Sequence, residues 1–396
     1  MTLLGAEPRG RMDLSWSPDG RYLAYVAGWH GWEVNRVWVL RMSDERAVPI
    51  TDDRWNDHSP TWSPDSRMFF YVSNRAGSRD LWQQRISKDG EPEDAPRAVT
   101  AGVGIRHVAF SVDGSRLVYA KGGEVANVWR VPILQQRRAT WFDAEQITSD
   151  QAFIEFLDLS PDGERLLVSS DRRGNMDLWV LPSSGGELRQ LTTNPLPDCG
   201  PRWSPDEATI AFWSYRKGIR DIWTVPASGG TPKQITFGEL NQWFPSWSPD
   251  GREIVFWQAS SDGLCVTSAN GGETRQVTSI GSRADWSPNG EWIAFYAADR
   301  NGGPQRVRPT GEDMMPLPVS GGVFFNWSRD GKAVYYTAEG NLWMASIENS
   351  RERRLTDFTG KQGQPRPYAI DTDGDYVYFT WRDDVSDIWV MDVAQE

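Results

Sequence analysis

Histidine and cysteine are scarce here, with three His and two Cys among 396 residues. Two cysteines cannot staple a fold of this length, so no disulfide framework is expected. Three histidines (His30, His58 and His107) fall short of a histidine-rich metal centre, which needs three or four converging ligands. No run of eighteen apolar residues is present, so no membrane-spanning helix is expected. Residues 1–11 lack a basic start followed by an apolar core, so no leader peptide is visible. Positive charge is also short. A formal net charge of −12 with scattered Lys and Arg argues against nucleic acid or an anionic membrane as partner. Among catalytic signatures, Gly-x-Ser-x-Gly, a Gly-rich phosphate loop and His-Glu-x-x-His are all missing. No catalytic residue, cofactor or metal is therefore assigned.

What the chain does have is a repeat. Trp-Ser-Pro-Asp-Gly stands whole at Trp16–Gly20 and Trp247–Gly251. Single-change copies start at Trp62, Trp203, Trp286 and Trp327, and worn copies at Phe110, Leu159 and Ile370. These nine copies are spaced 39 to 49 residues apart, about 44 on average, the period of a propeller blade.

Each unit carries four strand signals. In the second, Ser59–Trp62 is a short strand and Ser63–Ser66 a turn, because proline presets φ and Asp can bond its own backbone. Met68–Val72 is an aromatic-rich strand, Asp80–Ile86 a third and Pro96–Thr100 a fourth. Elsewhere the third strand reads Val37-Trp38, Leu178-Trp179 or Ile222-Trp223, and the fourth ends in Ile50-Thr51, Leu191-Thr192 or Ile235-Thr236. Cys265 takes the third-strand Trp position and should be core, whereas Cys199 falls in the loop leading into the fifth unit. The seventh unit has only weak strand signals. The expected fold is all-β: one domain over 1–396, a single closed propeller of nine four-stranded blades. Thr2-Leu3-Leu4 would complete the last blade and remove its open edge. An eight-bladed ring with the seventh unit as an excursion is the alternative.

Trp-Ser-Pro-Asp-Gly, the Arg75–Trp82 stretch (Arg-x-Gly-x-x-Asp-Leu-Trp) and the terminal Leu-Thr together resemble the TolB-type propeller repeat. That resemblance covers nearly the whole chain and implies fold more than activity, since related propellers occur in TolB, in peptidases and in regulator sensor portions. It implies a protein or peptide partner, and a periplasmic location if the chain is processed as TolB is. A chain complete as given would be cytoplasmic. The recurring Arg and Asp of that stretch (Arg75 with Asp80, Arg172 with Asp177, Arg216 with Asp221) are expected to order their own loops.

Candidate binding residues come from one pattern. Three consecutive units place Trp213, Trp257 and Tyr296 just after the second-strand core aromatic, where the other units have small or aliphatic residues. Trp243 and Phe244, in the loop entering the sixth unit, lie between the first two, so these five could form an aromatic wall at the channel mouth. His58 and His107 lead into neighbouring blades and are retained as further candidates, as is the Trp29-His30-Gly31-Trp32 loop. The residues point to a monomeric, non-catalytic binding or scaffold module. The alternatives are the sensing portion of a larger regulator and, since oligogalacturonate lyases share related propellers, a channel-sited polysaccharide enzyme. A saccharide ligand fits aromatic residues as well.

Overall fold

The computed structural model describes residues 11–27, 35–52, 54–76, 78–216, 218–259, 263–297, 302–322 and 324–393. Thr2–Leu4 and Trp29–Trp32 lie outside them. Apart from one short 3-10 turn at Trp141–Asp143, the described elements are β-strands. No described helix is long and apolar enough to cross a membrane.

The turn of the repeat is closed by its own side chains. Ser17 Oγ donates to Asp19 Oδ1 at 2.8 Å and accepts from the Tyr22 N–H at 2.9 Å, five residues on. The Arg21 N–H then meets Asp19 Oδ1 at 3.1 Å. Gly20 takes the left-handed conformation with φ 70, which glycine adopts without penalty; Ser66 and Glu207 bear it at φ 59 in two changed copies. The repeated Thr has an equally local task. Its hydroxyl accepts the N–H that opens the third strand: Val37 to Thr51 at 3.0 Å, Leu178 to Thr192 at 3.0 Å, Leu342 to Thr356 at 3.0 Å. The same hydroxyl donates to a carboxylate or amide oxygen, as from Thr100 to Asp80 at 2.9 Å.

Seven repeats form their own four-stranded sheet in sequential antiparallel order, the seventh included (Ser282–Trp286, Ile293–Ala297, Gly303–Val307, Met315–Pro316). The third and ninth do not. Their second and third strands run through as single 17-residue strands, Arg116–Pro132 and Tyr376–Asp392, paired in one five-stranded sheet with Ile105–Phe110, Glu145–Gln146 and Gln364–Thr372. Nine separate four-stranded sheets are therefore not what the chain builds. The ninth repeat has no Gly, Pro or Asn between those strand positions, so the residues best suited to a tight reversal are missing there.

By its internal contacts the chain divides into two compact units. The smaller comprises 1–124, 172–175 and 384–396 and holds the first two sheets, with cores built around Tyr22, Trp62, Phe69 and Tyr71 and around Val72, Leu81, Ile105 and Leu117. The larger comprises 125–171 and 176–383. In it the sheets of repeats four to eight pack in order, and Gln364–Thr372 of repeat nine lies against both the eighth and the fourth repeat. Between the third and fourth strands of repeat three, residues 134–145 are tied down: Ala139–Thr140 pairs in parallel with Thr356–Asp357, and Trp141 packs on Trp129, Phe358 and Trp381 at 4.5, 5.4 and 4.7 Å.

Neighbouring repeats are tied by one recurring hydrogen bond. The residue before the repeat's first position accepts the N–H of the next repeat's first residue. Trp203 N–H meets Asp158 at 2.7 Å, Trp286 N–H meets Ser246 at 3.0 Å and Trp327 N–H meets Asp285 at 3.2 Å. Leu159 N–H of repeat four likewise meets a side chain of repeat nine, Asp371 at 2.7 Å, though one residue after that repeat's first position. Indole N–H groups add a second tie, from Trp247 to the Arg202 carbonyl at 3.1 Å and from Trp327 to the Asp285 carbonyl at 3.0 Å.

Candidate binding mouth and polar floor

Two groups of side chains converge in the larger unit. On the turn side, a pocket of about 390 Å³ is lined by Asp158, Arg202, Ser246, Asp285, Asn326 and Asp371 together with the Ser-Pro turns. The innermost strands hold Asp158, Arg202, Ser246, Asp285 and Asn326 one residue before the repeat's first position, and Asp371 one residue after it. Arg202 donates to Asp158 at 2.8 Å and lies 4.0 Å from Asp285 and 3.4 Å from Asn326. Arg329 crosses from repeat eight to the Ser160 carbonyl at 3.2 Å and the Thr372 carbonyl at 3.4 Å. Burial pushes Asp285 up from its ordinary 3.8 to about 6, against the pull of Arg202 and the Trp327 N–H. Burial likewise raises Asp158 and Asp371, with Arg202 opposing and their mutual repulsion adding to it. Burial works against the Arg202 charge, yet Asp158 and Asp285 outweigh it and its pKa rises. Every charge here has a protein partner, so the floor reads as a structural plug.

At the opposite end of the same strands the side chains are aromatic. Phe156, Phe244, Phe324 and Tyr368 form a closed circuit, with centroid separations of 6.1, 5.4, 4.2 and 5.7 Å around it. They come from repeats four, six, eight and nine. Three residues before the repeat's first position, repeats four to eight carry Phe156, Gly200, Phe244, Arg283 and Phe324. Innermost strands bulge there, and Gly200, Phe244 and Arg283 all have left-handed backbones, with φ of 58, 53 and 61. For Phe and Arg that conformation costs roughly 1–2 kcal/mol. Gly200 leaves room for a neighbour: a Cβ there would stand 2.7 Å from Trp213 Nε1.

Around this circuit lie the residues singled out from the sequence. Trp213 meets Phe156 edge-on at 6.4 Å. Trp257 stacks on Trp243 at 4.5 Å and on Phe244 at 6.4 Å. Tyr296 joins through Arg283, whose guanidinium lies 5.8 Å from its ring and 4.5 Å from Phe324. Arg220 sits over Trp213 and Trp243 at 5.3 and 4.6 Å, and burial pulls its pKa down to about 9. Arg366 lies 5.2 Å from Tyr368 and 3.8 Å from the Glu155 carboxylate.

A family of known proteins matches this architecture. The family described as "TolB beta propeller domain" matches residues 109–322, more than half of the chain. The chain belongs to this TolB propeller family. A 115-residue stretch is 30% identical to an "Uncharacterized peptidase YuxL" of Bacillus subtilis, covering 27% of this chain and 17% of that protein, so the chain spans only a small part of that relative. A structure from Agrobacterium tumefaciens assigned to TolB superposes with TM-score 0.56 at 22% identity, covering 67% of this chain and 100% of that one, a likeness of fold. TolB from Acinetobacter baumannii gives TM-score 0.39 at 19% identity, covering 79% and 64%.

In this TolB-type chain the five aromatic candidates thus join one network, but Trp243 and Phe244 lie in the innermost strand Gln242–Trp247 rather than in a loop. Phe156, Phe324, Tyr368 and Arg283 complete it. The sequence signal for three of these was the position three before the Trp, not the one after the second-strand aromatic. His58 and His107 belong to the smaller unit, with ring centroids 6.4 Å apart. Burial depresses His58 to about 3, so it is neutral at pH 7. Among the described residues no group of three or more His, Cys, Asp or Glu is placed to hold a metal ion.

Two expectations need correcting. Arg75 pairs with Asp57 at 3.2 Å and Arg216 with Asp198 at 2.5 Å, not with Asp80 and Asp221. Asp80 instead binds the following loop, accepting the Gly102 and Val103 N–H groups at 2.9 and 3.0 Å. Those loops are ordered as expected, but by a partner one strand away that sequence spacing could not single out. Cys199 lies inside the strand Asp198–Trp203, fully buried, and both cysteines are free thiols.

Proposed function

We propose that this TolB-type propeller is a non-catalytic binding module whose larger unit is a ring of six sheets, closed where repeat nine meets repeat four. The Leu159–Asp371 bond supports closure, because it ties the first residue of repeat four to a side chain of repeat nine by the same kind of bond, backbone N–H to side-chain oxygen, that ties repeats four to five, six to seven and seven to eight. Closure of the ring brings aromatics from repeats four, six, eight and nine into one circuit. That circuit, with Trp213 and Trp257 flanking it, carries the functional reading: a rigid apolar mouth offers large contact area at little entropic cost. The expected partner is a protein segment, and the chain acts as a monomeric scaffold for it. The experiment is affinity capture from a lysate of the source cells with the wild-type chain and a Phe244→Ala/Trp257→Ala variant in parallel. A protein held by the first and lost by the second supports the reading. Equal retention by a correctly folded variant removes the mouth from it.

A further inference from the structure

Several buried or half-buried arginines of the larger unit are paired with a carboxylate, and Arg283 is not among them. Arg202 has Asp158, Arg216 has Asp198 and Arg366 has Glu155. No described carboxylate lies within ion-pair distance of Arg283; its contacts are the faces of Phe324 and Tyr296. Its backbone is held in the left-handed region at φ 61, at the register that presents Phe244 to the circuit. Burial already weighs against its charge and lowers its pKa. A cation in this setting gains most from an incoming anion, because a charge-assisted bond in a half-desolvated site is stronger than one in water. The protein as a whole carries −12, so an uncompensated guanidinium here is not a general surface property.

Resting on the binding-mouth reading above, we propose that Arg283 anchors a carboxylate, and that the bound segment is a peptide with an acidic residue beside an apolar one. Phe324 links the two halves of this site: Arg283 covers it at 4.5 Å, and its centroid stands 5.4 Å from Phe244 and 4.2 Å from Tyr368. Consecutive residues of an extended peptide are about 3.8 Å apart at Cα, so an acid on Arg283 places its neighbour over these rings. The ring geometry favours a peptide over a sugar. Phe244–Phe324 and Phe324–Tyr368 cross at 71° and 88°, which makes stepped apolar notches rather than one flat stacking platform.

The test pans a random heptapeptide phage library on the full-length chain. The strongest binder is then synthesised with its acid intact and with the acid changed to the amide. Both peptides are titrated against wild type, Arg283→Ala, Arg283→Lys and Phe244→Ala, each checked for unchanged melting. The expected result is enrichment of Asp or Glu next to an apolar residue. Neutralising the acid and Arg283→Ala should each weaken binding about 10- to 100-fold, the range for one charge-assisted contact, and the two together no further. Arg283→Lys should restore part of the loss, and Phe244→Ala should weaken both peptides alike. If the acid matters equally in Arg283→Ala, or no acid is enriched, the anchor is refuted while the mouth stands. If binders are indifferent to Phe244→Ala, or none emerges, the mouth itself fails. Binding of digalacturonate at the mouth with no peptide enriched would overturn the peptide assignment in favour of an anionic saccharide.

Discussion

Arg202 holds the polar floor of the larger unit, and replacing it by methionine tests that account most sharply. Its guanidinium is 2.8 Å from Asp158 and 4.0 Å from Asp285, and all three side chains are largely withdrawn from water. Methionine keeps the apolar stem and removes the charge. Breaking a buried pair from one side costs about 3–5 kcal/mol, because the remaining carboxylates lose their compensation. That figure applies at pH 8, where the carboxyls are ionised in the unfolded chain. At pH 5 they can sit protonated in the folded variant. Holding a carboxyl neutral costs about 1.4 kcal/mol per pH unit above its ordinary value, so roughly 1.6 kcal/mol for each at pH 5. The loss should therefore be smaller at pH 5 than at pH 8. Urea unfolding of both chains at pH 5 and pH 8, followed by tryptophan fluorescence and far-UV circular dichroism, reads the difference directly. An equal loss at the two pH values would refute the electrostatic account and leave only packing. No loss at either would show that Arg202 does not compensate the floor at all.

Four further outcomes follow from the same geometry. Asp285 has a folded pKa raised from 3.8 to about 6, so it should cost the wild type up to about 3 kcal/mol of stability as pH rises between those values; in Asp285→Asn that slope should become shallower by this contribution, and an unaltered pH profile would contradict it. Thr192 accepts the Leu178 N–H at 3.0 Å, so Thr192→Val should cost about 1–3 kcal/mol in chemical denaturation by stranding a buried donor; a change below about 0.5 kcal/mol would mean another acceptor takes over. Gly200→Ala should cost at least about 1 kcal/mol through its φ of 58 and should push Trp213 off Phe156, seen as shifted indole fluorescence. Cys199 and Cys265 are 0% and 3% exposed, so neither should react with Ellman's reagent until denaturant is added; prompt reaction of either thiol would contradict its burial.

The repeat grammar was legible because its physics is local. Ser, Asp and the closing left-handed residue of each turn interact within five residues, so their spacing alone predicts the turn and the strands beside it. Recurrence about every 44 residues then implies sheet after sheet, and even the weak seventh unit obeys it. The aromatic candidates were legible for a related reason. A position that repeats with the blade points the same way in each sheet, so Trp213, Trp257 and Tyr296 could be grouped without knowing where the sheets stand.

Where the sheets stand is a matter of pairing between segments hundreds of residues apart, and local rules carry no information on it. Residues 116–132 and 376–392 look like two ordinary strand pairs, yet each runs straight through and they pair in one sheet. That single event decides that repeat nine meets repeat four, that Asp371 accepts the Leu159 N–H, and that Tyr368 stands 5.7 Å from Phe156. It also brings Arg366 of repeat nine to Glu155 of repeat four at 3.8 Å. The sequence by itself determined the units, their turns and the residue types each repeat presents. Only the tertiary structure decided which units are neighbours, and so which aromatics surround Arg283, because non-local strand pairing sets that choice.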